Sequence, residues 1–190
     1  MGLAALGHRV TASDLSAAAA ERARREASLR GLAIDFAVAD MRSCAETHPP
    51  GFDVVLSADN AVPHLLGDDA ILAALRSFFQ CLRPGGMAVV NVREYLPHTD
   101  RSSPQLWPYG FRSDGDDLYF VVQTRDWDGD FYDVAMYFVR EARGDQPAKV
   151  IAGSSRYYAV SIFGEAGFRE TRRLDGALRQ PVVDARRPAG

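Results

Sequence analysis

Lysine is nearly absent from this chain: Lys149 is the one lysine among 22 basic residues in 190. Acidic residues number 25 and the formal net charge is -3, so no excess of positive charge is available to grip a phosphate backbone or an anionic membrane surface. Nucleic-acid binding is thereby set aside. Long apolar runs are missing too. Runs such as Val54 to Leu56 and Ala88 to Val90 fall far short of the roughly 20 residues that span a bilayer. Met1 to Leu6 is too short for the hydrophobic part of a secretion signal, and a cytoplasmic location is expected. Cysteine is scarce, with Cys44 and Cys81 alone and no metal-ligand spacing. Reduced cytosolic thiols account for both without a disulfide. What is present is ordinary globular composition, 47% apolar and 25% charged, enough for one domain with a full core.

From Arg9 onward the segments read as strand, helix, strand, strand, helix, strand, an alternation that predicts a parallel sheet covered by helices. Arg9 to Ser13 is a short strand ending at Asp14. Ser16 then caps a helix that runs through the alanine-rich stretch to Arg30 and is closed by Gly31. Ile34, Phe36 and Val38 alternate with smaller or polar neighbours and predict a second strand ending at Asp40. Thr47 to Gly51 reads as a loop feeding Asp53 to Ser57, an apolar run expected to be covered on both faces. Ile71, Leu72, Leu75, Phe78, Phe79 and Leu82 follow helical spacing, with Asp68 as the expected cap and Pro84-Gly85-Gly86 as the stop. Met87 to Val92 follows as a buried strand.

Beyond Pro97 the periodicity fades. Thr99 to Asp117, with its prolines, serines, glycines and Trp107-Pro108-Tyr109, reads as a long loop or lid over a pocket. Leu118 to Trp127 and Phe131 to Val139 alternate strongly around Asp128-Gly129-Asp130 and predict a hairpin, to which Arg156 to Val160 adds a third antiparallel strand. Asp126, Asp128 and Asp130 loosely suggest a calcium loop, but the residue order is not that of an EF-hand. The tail from Gly167 to Val183 is expected to supply an antiparallel pair closing the main sheet. Residues 1-190 thus read as a single domain, with 99-160 as an inserted lid and antiparallel sheet.

Ligands of open α/β sheets bind beyond the carboxyl ends of the strands. The positions to weigh are therefore Asp14, Asp40-Met41, Ser57 to His64, and Arg93-Glu94-Tyr95. An ionised carboxylate at Asp14 offers two acceptor oxygens to the hydroxyls of a ribose, or serves as a plain helix cap. Asp40 either accepts from an adenine amino group, with Met41 over the ring, or belongs to an ordinary turn.

Val10-Thr11-Ala12-Ser13-Asp14-Leu15-Ser16, Val38-Ala39-Asp40-Met41, Phe52-Asp53-Val54-Val55-Leu56 and Leu82-Arg83-Pro84-Gly85-Gly86 resemble, in that order and spacing, the class I S-adenosylmethionine-dependent methyltransferases. The resemblance covers residues 2 to 95 well. The remainder is similar to the glycine and sarcosine N-methyltransferase-like branch through its hairpin and Arg156-Tyr157-Tyr158-Ala159-Val160. The fold it implies is a Rossmann-like, doubly wound and mostly parallel sheet with antiparallel C-terminal strands and an inserted hairpin subdomain. By this resemblance Asp14 would hold the cofactor ribose and Asp40 with Met41 the adenine, the stretch Asp59 to Leu65 with Asn60 would line the methionine end, and Leu15 and Ala58 would also bind the cofactor. His64 would line that end as well, or else it packs or caps the following helix. Arg93 would fork onto a substrate carboxylate, or pair with Glu94 or another acid. Arg101 and Arg112 are alternative anchors, and His64 or Tyr95 would orient the acceptor or take its proton.

Members of that family begin with a strand and a G-x-G-x-G turn, whereas Met1-Gly2-Leu3 reads as already inside the helix that follows, with Gly7 as its end. The fold is therefore expected to lack its first strand, leaving two inner strands with unpaired edges. Three origins fit: a start codon assigned too late, which is the expectation here, a natural gene fragment, or strands re-paired around the gap. Near the C-terminus Ser161-Ile162 runs almost directly into Phe163 to Phe168, where relatives carry a longer helix.

The expected activity is transfer of a methyl group from S-adenosylmethionine to a small-molecule acceptor, an amine in the first instance. The cofactor carries the reactive group, and the protein aligns the acceptor and excludes water. The alternative is an inactive remnant acting as a binding or oligomeric partner, and a homo-oligomer is compatible with either. A nicotinamide-dependent oxidoreductase fits less well, because its glycine fingerprint is also missing.

Overall fold

The computed structural model describes residues 1-92, 104-114, 117-128, 131-140, 149-156, 161-174 and 181-189. Helix α1 (Gly2–Ala5) is a single turn. Strand β1 (Val10–Asp14) leads into α2 (Ala17–Leu29), where Ser16 Oγ accepts the Ala19 N–H at 3.2 Å and satisfies one otherwise orphaned amide. Gly31 follows with φ 65°, a left-handed conformation that glycine adopts without a Cβ penalty. Strand β2 (Ile34–Val38) pairs in parallel with β1, Val10 opposite Ile34 and Asp14 opposite Val38. Helix α2 covers this pair. A 3-10 turn (Met41–Ser43) and the one-turn α3 (Cys44–Thr47) come next.

Strand β3 (Phe52–Ser57) and β4 (Leu82–Asn91) are parallel and joined by the crossover helix α4 (Asp68–Cys81). Asp68 is the first helical residue and not the cap, which is Gly67; Asp68 and Asp69 both fall in the first turn, where carboxylates complement the positive helix end. The helix stops at Cys81, and Pro84-Gly85-Gly86 already belongs to β4. Gly86 has a steric reason to be glycine, since a Cβ there would sit 2.9 Å from the Arg83 carbonyl and 3.0 Å from that of Phe52.

The long loop expected over 99-117 is, from Gln105 to Asp114, strand β5. Its alternation is hidden by a register shift between Pro108 and Gly110, where the strand bulges against β6 (Asp117–Asp128). Strands β6 and β7 (Phe131–Arg140) form the expected hairpin, with Asp128 opposite Phe131. A third antiparallel strand, β8 (Lys149–Arg156), pairs with β7; of the strand expected over Arg156 to Val160, residues 157-160 lie outside the described residues. Helix α5 (Ile162–Glu165) is a single turn. It is followed by β9 (Arg169–Leu174) and β10 (Val182–Arg186), which add antiparallel to β4 in the order β3-β4-β10-β9.

The strands have not re-paired. Among the described residues β1 bonds to β2 alone, β3 to β4 alone, and β5-β6-β7-β8 make a separate sheet. The core lies around α4, whose Ile71, Leu75 and Phe78 meet Ala88 and Val90 of β4, Phe163, Phe168 and Val183. Arg187 closes the far end of α4: its Nη1 donates to the carbonyls of Phe79 at 2.9 Å and Leu82 at 2.6 Å, with the guanidinium over the Phe79 ring. Strand β3 is not covered on both faces, since Val54 and Leu56 are 47% and 51% exposed while Ser57 is buried. No described helix is long and apolar enough to cross a membrane.

Candidate cofactor site

The residues singled out at strand ends fall in two groups on the carboxyl side of the parallel strands. In the first, Asp14 ends β1. Its Oδ1 accepts the Ser16 N–H at 2.8 Å and so orders the entry to α2. Its Oδ2 has no partner among the described residues, and the side chain is exposed. The carboxylate therefore orders the helix start through Oδ1, with Oδ2 facing outward. Leu15 beside it is 71% exposed. The Asp14 carbonyl accepts the Ala39 N–H at 3.1 Å, which brings the chain beyond β2 alongside the end of β1.

Asp40 caps the 3-10 turn by accepting the Arg42 N–H at 2.9 Å. The Arg42 guanidinium also reaches back onto it, Nε to Oδ1 at 3.1 Å and Nη2 to Oδ2 at 2.5 Å. Both oxygens are thus engaged, and these hydrogen bonds hold the carboxyl below the usual carboxylate range. An adenine amino group would meet Asp40 only by sharing it with Arg42. Replacing Arg42 by alanine should raise the Asp40 pKa toward its ordinary value, so that acid protonates it sooner; an NMR titration of the Asp40 carboxyl checks this. Met41 is half-buried and packs against the α4 core.

In the second group Ala58 and Asp59 are exposed beyond β3, and Asn60 is 4% exposed. Asp59 and Asn60 have φ of 57° and 58°, left-handed conformations that Asp and Asn tolerate better than other side-chain-bearing residues. The pair is held by Asn91 at the end of β4. Asn91 Oδ1 accepts the Asn60 N–H at 3.1 Å, and its Nδ2 donates to the Pro181 carbonyl at 3.4 Å. Asn91 does not stand out by its place at a strand end; its signal in the sequence is a lone amide closing the apolar run Met87 to Val90. His64 ends the 3-10 turn Val62–His64, is exposed, and donates its N–H to the Ala61 carbonyl at 3.1 Å. Strand β8 lies against this turn, so the antiparallel sheet borders the His64 side of the site. Arg93, Tyr95 and Arg101 lie outside the described residues, and Arg112 lies on β5. No cluster of three metal-ligating side chains exists among the described residues.

Residues 1–86 match the family model of the methyltransferase domain. The comparison with curated proteins finds no match. Three similar solved structures are an S-adenosylmethionine-dependent methyltransferase from Clostridium acetobutylicum (TM-score 0.77, 13% identity, 95% of this chain and 76% of that one), the amino pentose methyltransferase CalS10 from Micromonospora echinaspora with S-adenosylmethionine bound (0.74, 19%, 94% and 74%), and the sugar N-methyltransferase KedS8 from a Streptoalloteichus species (0.77, 16%, 94% and 70%). Identities this low carry the fold. The chain therefore has the α/β, Rossmann-like fold of the S-adenosylmethionine-dependent methyltransferases, and its first 86 residues match the methyltransferase-domain model.

Proposed function

We propose that this protein is a methyltransferase that moves the methyl group of S-adenosylmethionine onto the amine nitrogen of a small molecule. The observation that carries the reading is Asp14: a strand-end carboxylate within the matched segment, anchored through one oxygen and open at the other. That arrangement fits a ribose, whose hydroxyls donate to a carboxylate. Leu15 flanks the same ligand. Asp40 and Met41 border the adenine, with Arg42 sharing the Asp40 carboxylate. Ala58 and Asn60 face the amino-acid end, where the bond from Asn91 fixes the turn. When bound, the cofactor supplies a methyl group on a positively charged sulfur; the chain's part is to hold the acceptor nitrogen in line and keep water out.

His64 and Tyr95 are the groups to orient that nitrogen or take its proton, and Arg93 is the anchor for an acceptor carboxylate, as in the glycine and sarcosine branch. Amine acceptors are also in keeping with the amino pentose and sugar N-methyltransferases of the same fold. An inactive remnant is not favoured. Titration calorimetry with S-adenosylmethionine and its demethylated product, followed by a transfer assay on glycine-like amines and amino sugars, tests the reading. Saturable binding of both nucleosides and methylation of at least one amine are expected. A folded chain that binds neither overturns it.

A further inference from the structure

Cys44 opens α3 and Cys81 closes α4, and the two side chains meet inside the core, 7% and 3% exposed, with their Sγ atoms 3.9 Å apart. Ser77, one turn earlier on α4, has its Oγ 3.3 Å from the Cys44 sulfur and accepts the Ala45 N–H at 2.9 Å. The Cys81 sulfur also lies 3.9 Å from the His48 carbonyl. This cluster stands directly behind the 3-10 turn that follows Asp40, and Met41 and Cys44 share one packed core. Methyl transfer has no use for either thiol.

We infer that Cys44 and Cys81 form an oxidation site at which a hydroperoxide converts the two thiols into an intrachain disulfide, pinning residues 40-47 to α4. The sulfurs need to approach by about 1.9 Å to reach bonding distance. Ser77 Oγ, which already accepts the Ala45 N–H, has its own hydroxyl hydrogen to donate to the Cys44 sulfur 3.3 Å away, and Cys44 is the less deeply buried of the two, so Cys44 is assigned as the sulfur that attacks the peroxide. With hydrogen peroxide, Cys44 takes one oxygen as a sulfenic acid and one water leaves. Cys81 then attacks that sulfur, the S–S bond forms, and the second water departs with the remaining thiol hydrogen. The peroxide is reduced by the two electrons the thiols lose. The 14-residue helix α4 is held along its buried face, whereas α3 has four residues and the 3-10 turn three. The movement therefore falls on the Asp40–Met41 side. Its effect on nucleoside binding rests on the function proposed above.

The test treats the full chain with hydrogen peroxide, then measures intact mass, thiol count after denaturation, and binding of demethylated S-adenosylmethionine before oxidation, after it, and after dithiothreitol. The expected result is joint loss of both thiols in a monomer about 2 Da lighter, with binding weakened about tenfold and restored by the reductant. Cys44→Ala and Cys81→Ala should each remove the 2 Da loss and the reversible weakening. Thiols that survive, oxidise separately or link two chains overturn the site. A disulfide that leaves binding unchanged overturns its coupling to the nucleoside. If the reduced protein binds no nucleoside, the methyl-transfer reading fails while the thiol count still decides the disulfide.

Discussion

Asp14→Ala is expected to weaken binding of demethylated S-adenosylmethionine by about 1 to 3 kcal/mol, or roughly 5- to 150-fold in the dissociation constant. On the function proposed above, the magnitude is that of losing hydrogen bonds from ribose hydroxyls to a carboxylate. The substitution also removes the acceptor for the Ser16 N–H, a bond of 2.8 Å at the entry to α2, so part of any loss would come from a loosened helix start. Asp14→Asn separates the two effects. An asparagine keeps a carbonyl oxygen for Ser16 but replaces the second oxygen with a donor, so it should preserve the melting temperature and still lose affinity. Calorimetric titration of wild type and both variants, beside their melting curves, is the measurement. An unchanged dissociation constant in Asp14→Ala would remove Asp14 from the site.

The same residue illustrates what a sequence discloses. A run of apolar residues that breaks at an acid or amide marks a strand end, and in a parallel α/β layout such ends are where ligands collect. As positions at strand ends, Asp14, Asp40 and the stretch Ser57 to His64 were legible on that ground, as were α2 with its Ser16 cap, the face of α4, and the β6–β7 hairpin. What stayed hidden depends on groups that the sequence does not place side by side. The Arg42 guanidinium folds back on Asp40 because a 3-10 turn intervenes. The Asn60–Asn91 bond joins residues 31 apart, and Cys44 meets Cys81 across 37. Strand β5 was hidden for a local reason: Pro108 and Gly110 interrupt its alternation, yet pairing along β6 carries the strand through the bulge. The exposed face of β3 was missed because an apolar triplet such as Val54-Val55-Leu56 does not reveal how many of its faces other elements cover.

Phe163→Ala should cost about 3 to 5 kcal/mol, a large share of the roughly 5 to 15 kcal/mol that holds a domain together. Phe163 is fully buried on α5, a helix of four residues that has no stability of its own. What holds this turn in place is its burial, with Ile162 and Phe163 inserted beneath it. The Phe163 ring lies 6.0 Å from that of Phe168, which in turn stands edge-on to Phe79 of α4 at 5.2 Å. Removing the first ring leaves a void between the turn, the start of β9 and α4, and rigid neighbours can close it only in part. Phe111 is the control: it touches Phe120 at 5.4 Å but is 64% exposed, so Phe111→Ala should cost under about 1 kcal/mol. Urea denaturation of the three proteins, with slopes unchanged and midpoints compared, measures the difference. Equal midpoints for the two variants would mean that α5 is not anchored through Phe163. The one-turn helix would then hold to the core through Ile162 and Ala166 alone.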